Sequence, residues 1–190
     1  MKLVFATNNI NKLSEIKSLV PEGIEILSLN DINCNEELPE TNPTLHENSL
    51  QKARYVFDNY GFNCFADDTG LEIDALGGDP GVYSARYAGV DCRAEDNMNK
   101  VLKKLEREEN RKAKFRTVIA LIIDGKETLF EGECKGSITK NKSGVEGFGY
   151  DPIFMPLKYD ITFAEMTKDE KGKISHRGKS VEKLVDFLHR

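Results

Sequence analysis

The chain has 190 residues, of which 39% are hydrophobic and 31% charged, and its formal net charge is −5. This length and composition predict a single compact domain over residues 1–190 and exclude an intrinsically disordered chain. The acidic balance argues against a nucleic-acid partner, because binding to the phosphate backbone requires a basic face.

The sequence also bears on membrane and metal partners. The first apolar run, in MKLVFATNNINK, is too short for a signal peptide, and no stretch is long and apolar enough to span a bilayer. The four cysteines contain no C-x-x-C pair, so neither a zinc site nor a disulfide framework is expected. We therefore expect a cytoplasmic protein without a membrane partner.

Strands and helices alternate through the first half of the chain. Residues 3–6 form a short apolar run typical of a strand, and an amphipathic helical pattern follows it and ends at Pro21. A second strand is predicted over residues 24–27. Thr44 and Glu47 have the spacing of a capping box, in which each side chain bonds the backbone of the other residue, and they predict the start of another helix.

The second half of the chain adds antiparallel neighbours. Strands are predicted over residues 64–66 and 71–75, and a helix over residues 98–105. The sequence FRTVIALIIDGKETLFEGE predicts a hairpin that turns at Asp124-Gly125, and an amphipathic helix closes the chain. Interleaved strands and helices with one hairpin predict an α/β fold with a mixed sheet.

The residues after the first strand are suited to bind a phosphate. Thr7, Asn8 and Asn9 lie between the strand and the first helix, where backbone N–H groups and the positive end of the helix dipole meet. Lys12 adds a positive charge within the first turn. A well-capped helix with a solvated lysine would have the same sequence, so both interpretations stay open for this segment alone.

Two adjacent aspartates, Asp67 and Asp68, end the apolar run over residues 64–66. Consecutive side chains of a strand face opposite sides, so only one carboxylate is expected to face a given cleft, and the other to be held by backbone donors or a cation. Such a carboxylate can bind Mg²⁺ or orient a water molecule. Alternatively, both aspartates belong to a turn and accept local hydrogen bonds.

Three other segments also permit two interpretations. The loop LGGDPGVYSARYAG is neither a dinucleotide-binding fingerprint nor a P-loop, and is either a turn or a binding loop. In EGFGYDPIF, Phe148 and Tyr150 either stack on a flat base or pack in the core. The segment KDEKGKISHRGKS concentrates cations that either surround an anion or form a solvated basic loop.

Five blocks of the sequence together resemble the inosine triphosphate pyrophosphatase family. They are, in order, TNNINK, ETNPTLHENSLQKA, FADDTGLEIDALGGDPGVYSARYAG, EGFGYDPIF and EKGKISHRGKS. The resemblance covers essentially the whole chain. It implies an elongated mixed β-sheet flanked by helices, with two lobes around a central substrate cleft, and a homodimer.

The activity implied by this resemblance is removal of non-standard purine nucleotides from the nucleotide pool. ITP, dITP or XTP would be hydrolysed between the α and β phosphates to the nucleoside monophosphate and pyrophosphate, with Mg²⁺ as the cofactor. Two other functions stay open. They are a related pyrophosphatase that prefers pyrimidine or modified nucleotides, and a nucleotide sensor without turnover.

The resemblance also implies a role for each matching residue. Glu40 and Asp68 would bind Mg²⁺, and Asp68 would also be the base for the attacking water. Thr69 stands where the family more often has serine, and its hydroxyl is expected to keep the substrate contact. The residues implied to bind the triphosphate or the base are Thr7, Asn8, Asn9, Ile10, Asn11, Lys12, Lys52, Thr69, Phe148, Gly149, Tyr150, Asp151, Lys171, His176 and Arg177.

Overall fold

The computed structural model describes residues 1–189 of the chain. Its strands and α-helices, in chain order, are β1 (Lys2–Phe5), α1 (Ile10–Leu19), β2 (Glu25–Leu27), α2 (Leu45–Tyr60), β3 (Cys64–Ile73), β4 (Pro80–Gly81), α3 (Ala94–Lys104), β5 (Lys112–Ile123), β6 (Lys126–Ile138), β7 (Phe154–Pro156), α4 (Lys168–Ile174) and α5 (His176–Leu188). Within this described part, no helix has the length and apolar character needed to cross a membrane.

The strands form one mixed sheet. Their order is β2-β1-β3-β5-β6-β7, and β4 pairs with β3 at the side of this path. β1 runs parallel to β2 and β3, whereas β3–β4 and β6–β7 are antiparallel pairs. The predicted α/β fold with a mixed sheet flanked by helices is confirmed.

The chain divides into two compact units. The first comprises residues 1–68 and 117–132 and the described residues after His176, and the second comprises residues 69–116 and 133–176. Strands β3, β5 and β6 each run from one unit into the other.

Side chains of the first unit alternate between the two faces of its strands. Leu3 and Phe5 of β1 pack with residues of α1 and α5, whereas Val4 packs with residues of α2. β3 continues this alternation beside β1, because Phe65 pairs with Phe5 in register and the two rings stack with their centroids 4.7 Å apart. The face of β3 that carries Phe65 is therefore the one covered by α1 and α5.

The second unit has its own apolar core, built around aromatic side chains. Phe115, Phe154 and Phe163 pack together, with 4.7 Å between the ring centroids of Phe115 and Phe154. Residues of α3 and the ends of β3, β5 and β6 complete this core.

Two local predictions from the sequence are confirmed. Asp124 and Gly125, with φ of 50° and 78°, join β5 to β6 in a two-residue turn whose positive φ values match a type I′ hairpin. Thr44 precedes α2, and its side chain accepts a hydrogen bond from the Glu47 N–H, as expected for an N-cap.

The predicted break between two strands near Asp67 is wrong. The chain forms one continuous strand, β3, from Cys64 to Ile73. Gly70, which favours a turn in the sequence, instead allows close approach to the neighbouring strand β4, since a Cβ atom there would lie 2.7 Å from the Gly81 carbonyl oxygen. The interpretation of the aspartates as turn residues is therefore also wrong.

The basic segment near the C-terminus is not a solvated loop. It forms α4 and the first turns of α5, and its residues Lys171 and Arg177 are buried. Thr167 and Glu170 form a capping box that begins α4. The Thr-x-x-Glu spacing is a sequence signal for this helix, and it was obscured by the high density of charge and by Gly172.

Candidate active site

Asp67 lies on the face of β3 that α1 and α5 cover. Its Oδ1 accepts a hydrogen bond from Lys12 Nζ at 2.8 Å, and its Oδ2 accepts from Nε and Nη2 of Arg177, each at 3.2 Å. Arg177 also donates to the carboxylate of Glu15. One buried carboxylate thus joins a cation from each of two helices that are far apart in sequence.

The charges around Asp67 decide its ionisation. Burial alone would raise the pKa of this carboxyl, but the positive charges of Lys12, Arg177 and Lys52 outweigh burial, and the pKa is lowered well below its usual range. The pKa of Lys12 is also lowered, first by burial and then, against the attraction of Asp67, by Lys52 and Arg177. Lys52 and Arg177 therefore both repel the Lys12 ammonium group.

Asp68 lies on the opposite face of β3, toward α2. Its Oδ2 accepts a hydrogen bond from Asn48 Nδ2 at 3.2 Å, and its Oδ1 lies 3.9 Å from Lys52 Nζ. Lys52 also donates to Glu40 Oε1 and, at 2.7 Å, to the backbone carbonyl of Asp67. The carboxylates of Glu40 and Asp68 therefore face one ammonium group.

The two carboxylates differ in ionisation. Burial raises the pKa of Asp68, and the charge of Lys52 offsets this only in part. Burial would also raise the pKa of Glu40, but its direct contact with Lys52 lowers it. Burial would lower the pKa of Lys52, and the charges of Asp68 and Glu40 raise it instead. Asp68 is thus the carboxylate with the stronger tendency to take up a proton.

The donor set around Lys52 suits a hard cation. Glu40 and Asp68 offer carboxylate oxygens toward one positively charged position, and oxygen is the ligand that Mg²⁺ prefers. Among residues 1–189 no group of three or more His, Cys, Asp or Glu residues could hold a metal ion by itself. In nucleotide enzymes Mg²⁺ is usually bound by one or two carboxylates together with substrate phosphates, and the Glu40 and Asp68 carboxylates fit such a site.

The opening loop is a well-capped helix start. Asn9 Oδ1 accepts hydrogen bonds from the backbone N–H groups of Asn11 at 2.9 Å and Lys12 at 3.2 Å. Thr7 Oγ1 accepts from the Asn9 N–H at 3.2 Å. The expected cap is confirmed, but the alternative of a solvated Lys12 is wrong, because its side chain is 14% exposed and paired with Asp67.

Asn8 contacts a neighbouring segment of backbone. Its Nδ2 donates to the Glu36 carbonyl at 3.1 Å, and its Oδ1 accepts from the Leu38 N–H at 3.3 Å. The loop is thereby tied to the stretch of chain that leads to Glu40. Ile10 is 72% exposed at the start of α1.

In the second unit, Asp151 and Lys171 form a buried ion pair. Lys171 Nζ lies 2.7 Å from Asp151 Oδ2, which also accepts from the Phe148 N–H at 2.8 Å. The Lys171 ammonium lies 5.1 Å from the centroid of the half-buried Phe148 ring. These three residues, which the sequence predicted to surround the base, are in contact with one another.

The other predicted residues of the second unit differ in exposure. Tyr150 belongs to the core, and its hydroxyl donates to the Ser84 carbonyl at 2.6 Å. The buried His176 ring stacks on Phe115 with 4.5 Å between centroids. Thr69 is half-buried in β3, and Gly149 has a positive φ of 65°.

The structure thus brings five predicted site residues close together in the first unit and three in the second. The first group is Lys12, Glu40, Lys52, Asp68 and Arg177, and the second is Phe148, Asp151 and Lys171. Sequence analysis assigned no role to Glu15 or Asn48. Asn48 had a signal, because it and Lys52 are polar residues four apart on the buried stripe of α2.

Comparison with known proteins places this geometry in a family. The sequence model of the Ham1 family matches residues 3–187. The chain is 58% identical to the dITP/XTP pyrophosphatase of Flavobacterium johnsoniae, over 99% of the chain and 98% of the relative. It is 50% identical to the dITP/XTP pyrophosphatase of Porphyromonas gingivalis, over 98% of the chain and 97% of the relative.

Solved structures give the same result. A HAM1 protein from Coxiella burnetii superposes with a TM-score of 0.91 at 36% identity, and covers 100% of this chain and 98% of its own. The Ham1 protein of Staphylococcus aureus gives a TM-score of 0.89 at 37% identity, with 100% and 98% covered. The family resemblance inferred from the sequence is confirmed.

Proposed function

The chain belongs to the Ham1 family, and on that premise we propose that it hydrolyses dITP, XTP and ITP to the nucleoside monophosphate and pyrophosphate. Relatives named dITP/XTP pyrophosphatase, up to 58% identical over nearly the whole chain, support this activity. We further propose that the protein acts in the cytoplasm, as a homodimer.

The structural observation that carries the proposal is a group of largely buried cations in an acidic chain. Lys52 and Arg177 are buried and the Lys12 side chain is 14% exposed, and all three lie around Asp67 in the first unit. Repulsion from Lys52 and Arg177 contributes to the lowered pKa of Lys12. A triphosphate, with close to four negative charges, would relieve that repulsion. Of the three, Lys12 is the one that follows the opening loop, where we place the triphosphate.

Glu40 and Asp68 are the residues we assign to Mg²⁺. A bound Mg²⁺ would neutralise phosphate charge and lower the pKa of a water molecule. The chain's own contribution is then a proton acceptor, and we assign this role to Asp68, whose pKa burial raises above the ordinary aspartate value. We also assign Lys52, which contacts both carboxylates, to a phosphate oxygen.

Residues of the second unit are assigned to the base. Phe148 offers a half-buried ring beside Lys171, and His176 follows α4 in sequence. We also assign Arg177, a residue of the first unit, to the nucleotide. Hypoxanthine and xanthine carry an oxygen at C6 where adenine carries an amino group, so N–H donors would pair with the oxygen and face other donors in adenine. A site built on such hydrogen bonds can discriminate by roughly 10⁴–10⁵.

The proposal is tested by a panel of nucleotides. Purified protein with Mg²⁺ is incubated separately with dITP, XTP, ITP, dATP, dGTP, dTTP and UTP, and released pyrophosphate and monophosphate are quantified. We expect kcat/KM for the first three to exceed that for the others by orders of magnitude. Omission of Mg²⁺ should abolish the release of pyrophosphate.

Two outcomes would overturn the proposal in different ways. Higher kcat/KM for dTTP or UTP than for ITP would identify a pyrophosphatase for other nucleotides. Tight binding of ITP without a monophosphate product would identify a nucleotide sensor.

A further inference from the structure

A buried amide joins the Asp68 carboxylate to the backbone near Glu40, the other residue that we assign to the metal. Asn48 is 1% exposed, and its Nδ2 donates to Asp68 Oδ2 at 3.2 Å. Its Oδ1 accepts from the backbone N–H of Asn42 at 2.8 Å. Asn42 lies two residues after Glu40. The Asn48 side chain therefore contacts both the Asp68 carboxylate and the backbone segment that carries Glu40.

The chemistry of the two partners fixes the orientation of this amide. The Asn42 N–H can only donate, and an ionised Asp68 carboxylate can only accept. Rotation of the Asn48 amide by 180° would place donor against donor and acceptor against acceptor. The Asn48 side chain therefore has one satisfied orientation, in which its N–H group is directed at the Asp68 carboxylate.

A second residue of α2, Gln51, bonds the same backbone segment without contacting Asp68. Gln51 Oε1 accepts from the Thr41 N–H at 3.0 Å and from Asn42 Nδ2 at 2.9 Å. The backbone on the C-terminal side of Glu40 is thus fixed to α2 at consecutive residues. Of the two α2 side chains, Asn48 is the one that bonds both this backbone segment and the Asp68 carboxylate.

We propose that Asn48 is a positioning residue that sets the relative placement of the Glu40 and Asp68 carboxylates for one divalent cation. The inference rests on the metal assignment within the proposed function and names a residue that acts through the ligands. Loss of a hydrogen-bond partner that orients a metal ligand typically weakens metal binding by about 10- to 100-fold.

The chain contains a matched control in the second unit. Asn97 is 3% exposed and is the fourth residue of α3, as Asn48 is of α2. Its Oδ1 accepts from the Ala88 N–H at 2.6 Å and its Nδ2 donates to the Ala85 carbonyl at 2.8 Å. Asn97→Ala therefore removes a buried bridging amide of the same type that contacts only backbone.

The test measures Mn²⁺ binding to the protein by electron paramagnetic resonance of unbound Mn²⁺. It is made first without nucleotide and then with a dITP analogue that carries an imido group between the α and β phosphates, because substrate phosphates are expected to complete the metal site. The analogue with Mn²⁺ but without protein is the reference. Thermal unfolding of each variant is recorded alongside. We expect Asn48→Ala to weaken binding by about 10- to 100-fold, Asn97→Ala to change it by less than about twofold, and both to lower the unfolding temperature. If Asn48→Ala does not fold, Asn48→Ser, which has a smaller side chain with a hydroxyl group, takes its place. It should also bind Mn²⁺ more weakly than Asn97→Ala does.

Several results would overturn the inference. Wild-type affinity for Mn²⁺ in the folded Asn48 variants would show that the amide serves stability alone. Equal weakening in Asn97→Ala would show a general effect of destabilisation. Absence of Mn²⁺ binding in the wild type, both without nucleotide and with the imido analogue, would remove the metal site itself, and the inference with it.

The inference can be separated from the proposed activity. The Mn²⁺ titration requires no turnover, so loss of binding in the Asn48 variants would support the positioning role even if no nucleotide in the panel is hydrolysed. Conversely, normal hydrolysis of dITP together with unchanged Mn²⁺ binding in the Asn48 variants would contradict the positioning role and leave the activity intact.

Discussion

Asp67 and Asp68 are adjacent in sequence, yet their carboxylates lie on opposite faces of β3. Asp67 contacts Lys12 of α1 and Arg177 of α5, whereas Asp68 contacts Asn48 of α2. The alternation of side chains along a strand separates two like charges that a turn would have held together. Asp67 thereby neutralises Lys12 and Arg177, and Asp68 is the aspartate that we propose for the chemistry.

Replacement of Asp68 is expected to remove turnover without unfolding the protein. Asp68→Asn keeps an oxygen near Asn48 but eliminates a proton acceptor and a charged metal ligand. Loss of the general base alone should lower kcat by about 10²–10⁴-fold. Pyrophosphate release from dITP measures the effect, and an unfolding temperature near that of the wild type shows that the fold persists. A kcat equal to that of the wild type would refute the role of Asp68.

Replacement of Asp67 is expected to act mainly on stability. Asp67→Asn leaves Lys12 and Arg177 without the charge that compensates their burial, and breaking a buried ion pair costs about 3–5 kcal/mol. The free energy of unfolding in urea measures the loss. Glu15→Gln is the control, because Arg177 then keeps Asp67, and it should cost less. Equal losses would show that Asp67 is not the central counter-charge.

The stability of the protein should fall in acid because of Asp67. Folding lowers the pKa of this carboxyl, so its contribution is complete above the ordinary aspartate pKa of about 3.9 and is lost as the pH falls further. The free energy of unfolding of the wild type should therefore decrease below about pH 4 more steeply than that of Asp67→Asn. Parallel curves for the two proteins would contradict the lowered pKa.

Lys12 is expected to affect substrate binding more than turnover. Lys12→Met removes a phosphate contact that we take to be equal in the ground and transition states, so KM for dITP should rise with little change in kcat. Lys17→Met is the control, since Lys17 lies on the exposed side of the same helix. An unchanged KM in Lys12→Met would exclude Lys12 from the triphosphate site.

Elements with strong local signals could be predicted from the sequence. The hairpin at Asp124-Gly125 requires two residues with positive φ, which that dipeptide supplies at low cost. The Thr44 cap is likewise decided within four residues of chain. In such cases the neighbouring residues alone determine the backbone, and sequence analysis needs no knowledge of distant contacts.

Elements that depend on distant contacts could not be predicted in the same way. Gly70 favours a turn locally, and only the approach of Gly81 explains its place within a strand. Asp67 could be assigned no partner, because Lys12 and Arg177 are 55 and 110 residues away in sequence. The role of Asn48 could not be predicted, because a polar side chain on a buried stripe indicates a buried contact but does not show which residue is the partner.

The placement of a bound substrate tests the account most directly. A crystal structure with Mg²⁺ and a dITP analogue that carries an imido group between the α and β phosphates should show the metal bound by Glu40 and Asp68 and in contact with the triphosphate, with Lys12 within hydrogen-bond distance of a phosphate oxygen. A nucleotide bound away from Asp68, with Lys12 still paired only to Asp67, would contradict it.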